Sequence, residues 1–157
     1  MKAMMYLGDQ AMELRDIPKP EGEFIVRVLG TTVCGTDLKT WLKGHPAFPP
    51  PAVLGHEAIG RVEKAPKDSG FAPGDYCVAA PYGECGECEI CRQGLEEMCE
   101  NKHFVPSGMF CEYISVPLPL VSRGVIKLPE PRKAFALTEP LACVLCGAEK
   151  IQLTPDS

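Results

Sequence analysis

Cys85-Gly86-Glu87-Cys88-Glu89-Ile90-Cys91, completed by Cys99 eight residues further on, decides how this chain is read. Three cysteines recur at a spacing of three, and two-residue gaps let a tight loop turn consecutive sulfurs toward one ion. Gly83, Gly86 and Gly94 supply the backbone freedom such a loop needs. Four thiolates fill a tetrahedral zinc ion, so this site reads as closed and structural, at the centre of a lobe over residues 83–101. The same ligands would suit an iron–sulfur cluster. Ordinary buried thiols or a disulfide knot are the competing explanation, and the polar character of the intervening residues counts against both.

The chain carries nine cysteines, an odd number that cannot pair completely within one molecule. Residues 1–9 are too short in apolar length, and too soon acidic, to form a signal peptide. Both features point to a reducing cytoplasm, with thiolates used for metal. The 157 residues suit one domain plus a connector, and 45% hydrophobic with 24% charged residues is a globular profile. A net charge of -5 with no basic cluster argues against a nucleic-acid or anionic-membrane surface. No apolar run approaches the length of a membrane span.

Sixteen prolines and fifteen glycines cut the chain into short pieces, as in a mainly β domain. Strands are expected over 23–29, 60–65, 76–80 and 111–116, each rich in β-formers and closed by turn residues. A short helix is expected over 36–43, with Thr36 and Asp37 as caps. Residues 131–150 differ: their Ala and Leu content predicts helix, with Pro140 in a first turn. The expected organisation is a catalytic-type β domain over 1–130 and a helical connector over 131–157.

Four further residues have metal-ligand chemistry. They are Cys34 in Val33-Cys34-Gly35-Thr36-Asp37, His56 and Glu57 in Gly55-His56-Glu57-Ala58-Ile59-Gly60, and Glu139 in Glu139-Pro140-Leu141. Singly, each reads as well as a core or surface residue, and spacing alone does not join them. Their order does. Cys-Gly-Thr-Asp, then Gly-His-Glu-x-x-Gly, then the four-cysteine lobe, then Glu-Pro-Leu resembles the zinc-dependent medium-chain alcohol dehydrogenase superfamily. It is most similar to the polyol and threonine dehydrogenase branch, and the resemblance runs over nearly the whole chain.

That resemblance implies a GroES-like, partly open β-barrel and two zinc ions per chain. Cys34 and His56 would hold a catalytic zinc, with Glu57 and Glu139 as ligands or close neighbours exchanging with water or substrate. Cys85, Cys88, Cys91 and Cys99 would hold the structural zinc. Thr36 would offer its hydroxyl to the substrate oxygen, and Asp37 would hold the far nitrogen of His56. The implied reaction is oxidation of a small secondary alcohol or polyol, with hydride passing to NAD or NADP. Trp41 is expected near the pocket and Phe110 in the barrel packing.

The chain departs from the family pattern at three places. Lys39 stands where many members carry a proton-shuttling histidine, and it reads as a solvated surface lysine. Pro66 stands where a small residue is usual. No Gly-x-Gly-x-x-Gly turn for a cofactor pyrophosphate occurs. The cofactor domain is therefore expected beyond this chain, either excised from it or supplied by a separate Rossmann-domain polypeptide. The connector helix would then leave Leu137, Leu141, Val144 and Leu145 exposed, which favours a homo-oligomer. A zinc-stabilised binding or regulatory subunit without chemistry is the alternative function. A redox-sensing Cys143-x-x-Cys146 pair is a third reading, set against simple packing of those two residues.

Overall fold

The computed structural model describes residues 1–151. Residues 152–157, the end of the expected connector, lie outside the described residues. The chain opens with a hairpin, β1 (Lys2–Gly8) and β2 (Ala11–Asp16). Its two turn residues, Asp9 and Gln10, have φ of 47° and 61°, the left-handed turn that matches the twist of paired strands. Periodicity does not announce this hairpin, because every residue of β2 is exposed and no apolar face alternates along it.

The middle of the chain follows as β3 (Ile25–Thr31), α1 (Gly35–Lys43), β4 (Ala52–Val53), β5 (Ala58–Lys64), β6 (Tyr76–Ala79) and β7 (Tyr82–Gly83). Then come α2 (Glu89–Arg92), β8 (His103–Phe104), β9 (Tyr113–Ser115), α3 (Leu118–Gly124) and β10 (Val125–Leu128). A 3-10 turn, Lys133–Leu137, leads into α4 (Thr138–Ile151). All four expected strands form, with ends shifted by one to two residues. The helix over 36–43 forms too, but its cap is Cys34, and Asp37 lies inside the first turn. The reason is the Asp37 carboxylate, which accepts the backbone N–H of Cys34 at 2.9 Å and so fixes where the helix begins.

Five strands build the principal antiparallel sheet, in the order β10-β6-β5-β3-β9. A second sheet has the order β2-β1-β4, and β7-β8 form a third, two-stranded one. Met4 N–H donates to the Phe110 carbonyl at 2.8 Å, tying the second sheet to the segment before β9. The sheets do not close on one another, so the architecture is the expected partly open barrel. Its core holds Phe24, Val26, Val62, Met109, Ile114 and Leu120, all buried. Phe24 meets Phe71 edge-on, with ring centroids 5.3 Å apart.

Gly60, the last residue of Gly-His-Glu-x-x-Gly, is fixed by this packing. A Cβ there would lie 2.2 Å from Val26 Cγ1 and 2.9 Å from the Arg27 carbonyl oxygen. The close approach of β3 to β5 therefore requires glycine. Cys77 sits in the same core, and burial pushes its thiol up to about 12, which keeps it protonated and out of metal chemistry. Outside the barrel, α4 has no buried residue. Leu137, Leu141, Val144 and Leu145 are 52–67% exposed, the apolar stripe expected from the sequence.

Candidate metal centres

The four-cysteine lobe is built from two short helical turns around a loop. Cys88 caps α2, Cys91 lies within it, and Cys99 caps the 3-10 turn Glu96–Met98. Sulfur separations are 3.4 Å for Cys88–Cys91, 3.6 Å for Cys85–Cys99, and 3.9 Å for both Cys85–Cys91 and Cys88–Cys99. Two zinc–sulfur bonds of about 2.3 Å at a tetrahedral angle span roughly 3.8 Å. The spacing thus fits one ion; a multi-iron cluster, with its cysteines on different irons, needs a wider cage. The sulfurs are not chemically equal. Backbone N–H groups of Glu87 and Cys88 pull the Cys85 thiol down to about 7, whereas burial pushes Cys91 up to about 12. Arg123 on α3 donates to Glu84 at 2.9 Å, anchoring the lobe to the barrel.

Cys34, His56 and Glu57 form the second cluster, with one ligand atom from each lying within 4.8 Å of the others. The thiol comes from the start of α1, and the imidazole and carboxylate come from the chain entering β5. Asp37 joins these segments. It is buried, and while Oδ2 accepts the N–H of Cys34, Oδ1 accepts the N–H of Gly55 at 3.0 Å. His56 Nδ1 faces the same carboxylate at 3.7 Å, beyond hydrogen-bond length. Gly55 turns the chain here with φ of 89°, and a Cβ would lie 2.4 Å from the ring of Phe110. Phe110 is therefore a packing residue, as expected.

Glu57 is only 4% exposed. A carboxylate buried so deeply needs partners, and it has one in the hydroxyl of Thr32, which donates to Oε2. Thr31 Oγ1 and the N–H of Thr32 hold the Glu57 backbone carbonyl at 2.8 and 3.0 Å. Sequence reasoning missed Thr32; its only signal is a hydroxyl two residues before Cys34.

The remaining candidates sit around this cluster. Thr36 is half-buried in the first turn of α1, and Lys39 is exposed. Trp41 donates its indole N–H to the Gln10 carbonyl at 2.6 Å, fastening α1 to the first hairpin, and is not among the residues lining the cavity beside α4. Glu139 is not one of the three clustered ligands. It lies with Ala58, Val78, Phe135, Ala136 and Cys143 on the wall of a cavity of about 310 Å³ between the principal sheet and α4. None of the three clustered ligands lines this cavity. Cys143 Sγ is 3.9 Å from Glu139 Oε1. Burial raises the Cys143 thiol, and the charges of Glu139, Cys146 and Cys34 add to the effect.

A closed four-thiolate cage and an open sulfur–nitrogen–oxygen cluster, carried together on a partly open antiparallel barrel, are the arrangement that the resemblance to zinc-dependent dehydrogenases implies. The comparison with known proteins agrees. Residues 20–130 match the alcohol dehydrogenase GroES-like domain, and the chain belongs to that family. It is 35% identical over 153 residues to an L-threonine 3-dehydrogenase of Pyrococcus abyssi, covering 90% of this chain and 42% of the relative. It is 31% identical over 148 residues to an L-galactonate-5-dehydrogenase of Escherichia coli, with the same coverages of 90% and 42%. Among solved structures, a zinc-binding dehydrogenase of Sinorhizobium meliloti bound to NADP superposes with a TM-score of 0.78 at 31% identity, covering 94% of this chain and 44% of that one. The chain thus spans about two fifths of the length of the curated relatives it matches.

Proposed function

We propose that this chain is the zinc- and substrate-binding part of an NAD- or NADP-dependent dehydrogenase that oxidises a small secondary alcohol or polyol. The observation that carries the proposal is the convergence of Cys34, His56 and Glu57 within 4.8 Å. A scaffold has no use for an open donor set of mixed chemistry. The names of the threonine and galactonate relatives support an alcohol substrate, and the NADP-bound neighbour supports a nicotinamide acceptor. No Gly-x-Gly-x-x-Gly turn that would seat a cofactor pyrophosphate occurs within these 157 residues. The odd number of cysteines supports a reducing compartment such as the cytoplasm. Among the described residues, no helix is long and apolar enough to cross a membrane.

The residues divide the work as follows. Cys34 and His56 hold the catalytic zinc, with Glu57 and Glu139 as the carboxylates that complete or exchange at the site. Zinc bound there supplies a Lewis acid that makes a substrate hydroxyl easier to deprotonate. Thr36, two residues from Cys34, would hydrogen-bond the substrate oxygen and take the first step of proton removal. Asp37 positions the ligands: by accepting the N–H groups of Cys34 and Gly55, it fixes the backbones that carry Cys34 and His56. His56 Nδ1 lies 3.7 Å from the Asp37 carboxylate, which would leave Nε2 as the nitrogen available to a metal.

Native mass spectrometry of the purified chain tests this reading. Two zinc ions per chain are expected, falling to one in Cys34→Ser. A single zinc in the unsubstituted chain, unaffected by Cys34→Ser, would leave only the structural lobe and favour the non-catalytic binding subunit.

A further inference from the structure

The end of β3 meets the start of β5 in a way that the division of roles above does not use. Thr31 pairs with Ala58 in the antiparallel register, so Thr32 and Glu57, the next residue along each chain segment, stand opposite one another. A bulge in β3 sets this alignment. Val28 pairs with Gly60 but Gly30 pairs with Ile59, so β3 gains one residue on β5 before it reaches the site. Had the earlier register continued, Thr32 would stand opposite His56 instead.

Hydrogen bonds from both threonines then converge on Glu57. The Thr31 hydroxyl and the Thr32 N–H donate to its backbone carbonyl at 2.8 and 3.0 Å. The Thr32 hydroxyl donates to the carboxylate at Oε2. Oε1 accepts no hydrogen bond among the described residues, yet none of their fully buried side-chain oxygens lacks a partner, so Oε1 is not sealed in. We propose that Thr32 is a positioning residue for the open metal centre: its hydroxyl holds one oxygen of Glu57, which keeps the carboxylate within the donor set of Cys34 and His56. This inference rests on the reading of those three residues as a metal centre. The backbone bonds alone would serve the pairing of the strands. The Thr32 hydroxyl does something further, because it acts on the carboxylate. Without it, a carboxylate only 4% exposed would lose the one hydrogen-bond donor its side chain has and would turn to find another.

The test uses the 157-residue chain with its four-cysteine lobe filled by zinc, titrated with cobalt(II). The cobalt–thiolate absorbance that disappears in Cys34→Ser reports the open centre. Thr32→Val keeps the shape and the backbone N–H of residue 32 and releases only Oε2. It should weaken cobalt binding at the centre by about 10–100-fold, as loss of a ligand's own hydrogen-bond partner does. Thr32→Ser restores the hydroxyl and should recover most of that affinity. In a Glu57→Ala background, Thr32→Val should have little further effect, because the two residues act as one unit. The lobe's zinc count and far-UV circular dichroism check that each variant folds. Unchanged cobalt affinity in Thr32→Val would overturn the proposal. So would a Thr32→Ser chain as weak as Thr32→Val, or an equal loss with and without Glu57. Each of those results leaves the metal centre itself standing. A chain with no Cys34-dependent cobalt absorbance would instead overturn the metal-centre reading, and the role of Thr32 with it.

Discussion

Asp37 shows how much one buried carboxylate organises. Its two oxygens accept N–H groups from Cys34, three positions before it, and from Gly55, eighteen positions after it. Asp37→Ala would leave both donors without acceptors, at a cost of roughly 1–3 kcal/mol each. Urea unfolding should show this loss, and zinc at the Cys34 cluster should fall with it. Asp37→Asn keeps one acceptor oxygen and should lose about half as much. Gly55 is the second such point. Gly55→Ala places a Cβ against the Phe110 ring in a left-handed conformation, and should destabilise the chain by about 2 kcal/mol or more in the same measurement. If Gly55→Ala unfolds at the same urea concentration as the unsubstituted chain, the tight Gly55–Phe110 contact is not part of the folded state in solution.

At the scale of elements, the zinc lobe and the barrel are built on different principles. The barrel core rests on apolar side chains of β3, β5, β6 and β9, together with Phe24 and Leu120. The lobe has short helical turns and little core, so an ion held by its four cysteines would supply much of its stability. A strong chelator should therefore release amide-exchange protection across residues 83–101 while leaving β3 and β5 protected. Acid should act in the same direction. Zinc binds thiolates, so the lobe's apparent zinc affinity should fall as pH falls. Cys91, held up at about 12, releases its proton to the metal across the whole usual range. Cys85, at about 7, is a thiolate above that value and begins to take up a proton below it. The loss of zinc should accordingly steepen below about pH 7, as followed by a zinc-sensitive dye during a pH titration.

At the scale of the molecule, α4 is the least supported element. Its residues Leu141, Val144 and Leu145 are exposed, as is Leu137 just before it. An apolar stripe of this size should drive self-association when nothing else covers it. Sedimentation velocity on the chain should show concentration-dependent association, and Leu141→Lys combined with Val144→Lys should suppress it. A purely monomeric unsubstituted chain at high concentration would contradict this expectation.

The four-cysteine cluster was legible because its residues lie within fifteen positions, and a local loop can bring them together without help from the rest of the chain. The strands around the core were legible for a similar reason: β-formers and turn residues act on their immediate neighbours. β2 was not, since an exposed edge strand leaves no apolar alternation. The open cluster was only half legible. Sequence order and family resemblance named Cys34, His56 and Glu57, but only the pairing of β3 with β5 and the two hydrogen bonds of Asp37 bring them within 4.8 Å. Tertiary structure alone revealed Thr32 as the partner of Glu57, tied Trp41 to the first hairpin, and set Glu139 on a cavity wall. By itself, the sequence determined which residues can bind metal, because that is a property of side chains and local spacing. The fold decided which of them meet, because contacts between distant segments depend on strand register and packing that no local stretch encodes.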